Sequence, residues 1–131
     1  MTHRIINPEG LHDPLPFGYS HVAVTSGELV FIAGQYASDA TGQVSTPGFA
    51  DQVDAAFANL RTALAAAGLE LTHVVQLRTH IVDHDLEKLA VLGKAISAIW
   101  GDRPPVQTLT GVASLALPGM LFEVDAVAAR P

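Results

Sequence analysis

Apolar residues along this chain switch between two spacings, and the switches divide it into strands and helices. His21 to Thr25 and Leu29 to Gln35 are β-branched and aromatic runs separated by Ser26-Gly27-Glu28, a pattern that predicts a hairpin. Ala37 to Ser45, rich in Ser, Asp, Thr and Gly, reads as loop. Thr46-Pro47 offers an N-cap and a first helical residue, after which Phe49, Val53, Phe57, Leu60 and Leu64 recur at helical spacing until Gly68. Val74 to Val82 reads as a strand. Asp85 is the predicted N-cap of a second helix that carries Leu86, Leu89, Ile96 and Ile99 to a stop at Gly101, and Arg103-Pro104-Pro105 breaks the chain after it. Val106 to Leu115 and Met120 to Ala128 predict two last strands joined by a turn around Pro118-Gly119. No linker, repeat or low-complexity stretch interrupts residues 1–131, so a single domain is expected.

The strands pose a covering problem. Side chains alternate across a sheet, which puts Leu29, Phe31 and Ala33 on one face and Val30, Ile32 and Gly34 on the other. Both faces are apolar. The last strand repeats the pattern, with Met120, Phe122, Val124, Ala126 and Ala128 on one side and Leu121, Val127 and Ala129 beside Glu123 and Asp125 on the other. Two helices can blanket only one face, and the remainder would exceed the apolar patch that monomers tolerate. Another copy of the chain is the expected cover.

Composition narrows the chemistry. A chain of 131 residues can bury roughly two-thirds of its unfolded surface, enough for a core without staples. The absence of cysteine excludes disulfides, thiolate nucleophiles and cysteine-bound metal centres. A net charge of -6 with seven basic residues argues against a nucleic-acid partner. Met1 to Gly10 has neither the pattern of a signal peptide nor that of a membrane span, and no other stretch is long enough to cross a bilayer, so a cytoplasmic location is expected.

A few polar residues stand out against this apolar frame. Glu123 and Asp125 lie among apolar neighbours, where a carboxylate is costly unless hydrogen-bonded or paired. For Asp125 a solvated or salt-bridged edge position is the simpler reading, and Glu123 is the stronger candidate for chemistry. Gln76, Arg78 and His80 form a polar stripe along one strand. A mid-strand arginine calls for an anionic partner, either a carboxylate across a subunit interface or a bound anion. His80 and His84 are four apart but off a helix, which does not make a metal site. Ser20 and His21 are adjacent, so in a strand their side chains diverge and cannot form a nucleophile–base pair. No phosphate-cradling glycine loop is present, and no cofactor is expected.

The stretches Gly18-Tyr19-Ser20-His21, Gly27 to Gln35 (GELVFIAGQ), Pro105-Val106-Gln107-Thr108 and Glu123 to Ala128 (EVDAVA) resemble the signature segments of the RidA (YjgF) family over nearly the whole chain. The resemblance implies a chorismate-mutase-like α+β fold: a mixed sheet with two helices on one face, assembled as a homotrimer with ligand sites in clefts between subunits. It implies hydrolysis of reactive enamine or imine intermediates to a 2-oxo acid and ammonia, without metal or cofactor. Some relatives carry the older labels endoribonuclease and translation inhibitor. Tyr19 matches the family's pocket tyrosine, Gly34 the glycine whose backbone approaches the ligand, and Glu123 the glutamate that orients or activates water.

The sequence departs from that pattern at one decisive place. Gln107 stands where deaminating members have an arginine that clamps the substrate carboxylate. Leu109 replaces a small or thiol residue, Ala90 a pocket asparagine, and single extra residues fall near Thr25-Ser26 and Ala116. A neutral amide cannot reproduce the bidentate, charged fork of a guanidinium. Three readings follow. The site takes a small molecule without a carboxylate, using Glu123, Tyr19 and Gln107; Arg78 or Arg103 enters the cleft and restores the charge; or the trimer is a non-catalytic binding or regulatory protein.

Overall fold

A computed structural model describes residues 3–131; Met1 and Thr2, the start of the Met1–Gly10 stretch considered for targeting, lie outside the described residues. Its centre is β4 (Val74–Val82), which runs parallel to β5 (Val106–Val112) on one side and antiparallel to β6 (Phe122–Ala129) on the other. β3 (Leu29–Gln35) pairs antiparallel with the far side of β6, giving the order β3-β6-β4-β5. Helices α1 (Phe49–Ala66) and α2 (Leu86–Trp100) pack on one face of this sheet. α1 contributes the stripe its periodicity predicts, Val53, Phe57, Leu60 and Leu64. From α2, Ile96 is buried and Ile99 packs against the core as expected, but Leu86, in the first turn, is 80% exposed, Leu89 faces a cavity at the sheet edge, and Leu92 is the second buried residue. The two helices meet Leu77 and Ile81 of β4 and Phe122, Val124, Ala126 and Ala128 of β6, all buried.

The opposite face has no such layer. Phe31 is 73% exposed and Leu29 46% exposed, and the register places Val127 and Ala129 directly across from them on β6. Val30 and Ile32, the alternate residues of β3, pack against the core. Among the described residues no helix is long and apolar enough to cross a membrane.

The expected hairpin between His21–Thr25 and Leu29–Gln35 does not form. β2 (Val22–Thr25) pairs antiparallel with β1 (His3–Ile6), Ile6 opposite Val22 and His3 opposite Thr25. β1 escaped the sequence reading because it has four residues, two of them polar, in a stretch weighed only for targeting signals. The turn at Gly27 belongs instead to a junction with the C-terminus. Gly27 has φ +94, a Cβ there would lie 2.7 Å from the Arg130 carbonyl oxygen, and Arg130 N–H donates to the Glu28 carbonyl at 2.9 Å. The Arg130 guanidinium also donates to Glu28 Oε1 at 2.8 Å. β3 is therefore held against β6, where Val30 and Ile32 reach the core. Ser20 joins the β1–β2 ribbon to the open edge of β5: its N–H donates to the Pro105 carbonyl at 3.1 Å and its buried hydroxyl to the Pro104 carbonyl at 2.6 Å.

Element ends show two further differences. Thr46 is not the N-cap of α1; Gly48 is, with no side-chain cap, and the Thr46 carbonyl instead accepts a hydrogen bond from Gln52. Gln52 is fully buried. Its Nε2 donates to the carbonyls of Thr46 (3.0 Å) and Gly119 (2.8 Å), and its Oε1 accepts from Leu121 N–H at 2.8 Å. This one amide ties the entry of α1 to the loop before β6. That loop is a crossover, because β5 ends at Val112 rather than Leu115, β6 begins at Phe122 rather than Met120, and β4 separates them. Asp85 caps α2 as expected, its Oδ1 accepting from Lys88 N–H at 2.9 Å.

Two outcomes test this frame. Gln52→Leu keeps the volume but strands three backbone groups, and should lower the unfolding free energy by about 3 kcal/mol in urea titration; wild-type stability would show that the tie contributes nothing. The Lys88 N–H and, secondarily, its ammonium hold the Asp85 carboxyl below its ordinary value of 3.8. Its stabilising effect is thus complete above that value and disappears as pH falls through the lowered one. Asp85→Ala should accordingly lose less stability between neutral and strongly acid pH than the wild type does.

Candidate functional site

A short 3-10 turn, Leu15–Phe17, ends at Gly18 in the left-handed conformation (φ +82) and delivers Tyr19 to the edge of the sheet beside β5. A cavity of about 540 Å³ opens there, lined by His12, Phe17, Tyr19, Leu89, Gln107, Thr108 and Leu109. Gln107 and Leu109 lie opposite Leu77 and Thr79 of β4, on the face the helices cover. Leu109 packs against the core. The Gln107 amide is held at both ends: Nε2 donates to the Gly18 carbonyl at 3.2 Å, and Oε1 accepts from the buried Thr79 hydroxyl at 3.1 Å. The Tyr19 hydroxyl lies 2.6 Å from His12 Nε2.

A second cluster lies on the bare face. The β3–β6 register slips between Ile32 and Gln35, and this irregularity brings Gly34 against Glu123. A Cβ on Gly34 would lie 2.6 Å from Glu123 Oε2 and 2.7 Å from Cδ. A side chain at position 34 would displace the chain's own Glu123 carboxylate. Glu123 is half-buried, and its carboxylate has no hydrogen-bond or ion-pair partner among the described residues.

Arg78 stays on that face with its stripe. Its Nε donates to Asp125 Oδ1 at 2.8 Å, a bond that raises the arginine's pKa above its ordinary value, and His80 Nε2 lies 3.3 Å from Asp125 Oδ2. The carboxylate partner expected across an interface is thus in the same chain, and Asp125 is the salt-bridged residue of the simpler reading. Arg103 donates to the His3 carbonyl at 3.3 Å, and neither arginine lines the Gln107 cavity. Ala90 lines a neighbouring groove between the 3-10 turn and α2. Ser20 and His21 diverge, the first bonded to Pro104 and the second to the His12 carbonyl. Among the described residues no group of three or more His, Asp or Glu is placed to hold a metal.

The chain therefore brings together Tyr19, Gln107 and Leu109 in one place, and Gly34 and Glu123 in another, on opposite faces of the sheet. Arg78 lines a shallow hollow of the bare face with Gly34. His12 and Phe17 were not singled out in the sequence, and Leu89 and Thr108 were noted only as a helix-stripe residue and part of a family-like segment. His12 sits in a Pro- and Gly-rich stretch with no periodicity, and only the turn at Leu15–Phe17 folds it back onto Tyr19.

A mixed sheet layered on one side by two helices, with a cavity at its edge and an unpaired carboxylate on its bare face, defines a small α+β ligand-binding domain. Comparison gives the family. The Endoribonuclease L-PSP family model matches residues 13–130, and the chain belongs to this family, also called RidA or YjgF. The RutC family protein YjgH of Escherichia coli is 30% identical over 126 residues, spanning 95% of this chain and 92% of the relative. The crystal structure of the Rid-family protein YyfB from Yersinia pestis superposes with a TM-score of 0.94 at 38% identity, covering 99% of this chain and 100% of that one. RidA from an Antarctic Psychrobacter gives a TM-score of 0.70 at 30% identity over 86% of this chain and 88% of its own.

Gly34→Ala should rotate the Glu123 carboxylate away from its present position, since neither β3 nor β6 can yield as readily as a glutamate side chain. A crystal structure of the variant with Glu123 in its original rotamer would contradict the close approach described here.

Proposed function

We propose that this is a cofactor-free RidA-like hydrolase of small imines or enamines that lack a carboxylate, acting in the cytoplasm as a homotrimer. The observation that carries this reading is the state of Gln107. Both ends of its amide are engaged by Gly18 and Thr79, and no arginine shares its cavity. A substrate carboxylate would meet no fixed cation. The missing charge-assisted contact, worth about 1.5–3 kcal/mol, corresponds to roughly ten- to more than a hundredfold in affinity. An uncharged ligand loses nothing by the exchange.

The two separated clusters suit a site completed between copies. The cavity of one subunit supplies Tyr19 and Gln107 for binding, and the bare face of the next supplies Glu123, over Gly34, to accept a proton from the attacking water. The uncovered Leu29 and Phe31 support that assembly. The apolar Leu109 in the cavity wall favours a second reading, a trimer that binds a ligand without transforming it.

Hydrolysis of an uncharged imine and of 2-aminoacrylate generated in situ, each followed against buffer, separates these readings. The wild type should accelerate the uncharged imine, and Glu123→Gln should reduce that rate by a hundredfold or more, on the order expected for loss of a general base. Gln107→Arg should raise thermal-shift responses to small 2-oxo acids about tenfold in apparent affinity. Decay of both imines at the buffer rate would leave the binding protein.

A further inference from the structure

The cavity contains an imidazole that no part of the site described so far uses. His12 Nε2 lies 2.6 Å from the Tyr19 hydroxyl, short for a nitrogen–oxygen hydrogen bond, and both side chains line the cavity. His12 is itself exposed, whereas Tyr19 is half-buried. The pair thus forms a two-residue path from solvent to the cavity interior.

The path is held in place from several sides. The His12 ring makes edge contacts with Phe17 (5.7 Å between centroids), Tyr19 (6.0 Å) and His21 (4.8 Å). The His12 carbonyl can only accept, so His21 Nε2 is the donor in their 2.8 Å bond, and His21 N–H in turn donates to Asn7 Oδ1 at 2.8 Å. The titratable groups against His12 are Tyr19 and His21. Asp13, next in the chain, is occupied with Leu15 N–H at 3.1 Å.

We propose that His12 and Tyr19 form a proton relay that serves the nitrogen of the bound imine, an inference that rests on the hydrolytic reading above. In the addition step the water oxygen bonds to the imine carbon, its proton passes to Glu123, and the nitrogen takes a proton from the Tyr19 hydroxyl, which His12 replaces. Glu123 releases its proton to solvent and His12 reloads from solvent. In the collapse step the C–N bond breaks, the nitrogen takes a second proton through the relay and leaves as ammonia, and the carbinol hydroxyl proton passes to Glu123. Two protons enter through His12 and two leave through Glu123, so none is consumed. A donor on the nitrogen side complements a base on the water side, the division of labour that imine hydrolysis requires.

The test is steady-state hydrolysis of the uncharged imine by the full-length wild type, His12→Gln, His12→Ala, Tyr19→Phe and Glu123→Gln across a pH series. His12→Gln and Tyr19→Phe should each lower kcat about a hundredfold with KM changed less than threefold. Free imidazole should restore at least a tenth of the wild-type rate to His12→Ala. An active wild type whose Glu123→Gln variant is dead, but whose His12 variants keep the wild-type kcat and pH profile, would overturn the relay alone. A wild type that hydrolyses nothing would overturn the relay together with the reading on which it rests.

Discussion

Two helices can cover one face of a four-stranded sheet, and the described residues form only two α-helices. Everything that distinguishes the molecule follows from how the covered and bare faces are used. The covered face receives the alternate residues that are apolar without exception along β6: Phe122, Val124, Ala126 and Ala128. The bare face keeps the residues between them, where Glu123 and Asp125 interrupt the apolar series. A carboxylate could not occupy the first set, because no water or partner is available there. The position of Glu123 is therefore set by the same alternation that builds the core.

Division of the polar groups between faces also explains why the two clusters do not meet within one protomer. Gln107 points to the helix side, where Thr79 and Gly18 immobilise it, and its cavity opens at the edge beside β5. Glu123 lies on the other face over Gly34. Arg78, one of the two arginines expected as a replacement charge, is engaged by Asp125 across one strand pair. The proposed chemistry joins one subunit's cavity to another's carboxylate, so oligomer and activity stand or fall together.

Much of this was legible in the sequence, and the exceptions have physical causes. The stripe of α1, the cap at Asp85 and the limits of β4 follow from periodicity and local hydrogen bonding, which a linear pattern carries well, whereas the first turn of α2 lifts Leu86 off the sheet. The partner of β3 does not: Ser26-Gly27-Glu28 has the composition of a hairpin turn, but Arg130, more than a hundred residues away in the chain, binds Glu28 and selects β6. Gln52 reads as an ordinary helix residue until Gly119 and Leu121 are placed beside it. For the candidate site, the family resemblance pointed to Tyr19, Gln107 and Glu123, and the glutamine at position 107 raised the functional question. His12 was not recognisable, since its meaning depends wholly on a turn that returns it to Tyr19.

The claim that the bare face is an interface is tested most directly by sedimentation velocity at micromolar concentration on the wild type and Phe31→Glu. The account predicts a wild-type species of three times the 13.7 kDa chain mass, converted toward single chains by a charge at the most exposed large apolar residue of that face. A wild type that sediments as a 13.7 kDa monomer, or a trimer indifferent to Phe31→Glu and to further charges at Leu29 and Val127, would contradict it.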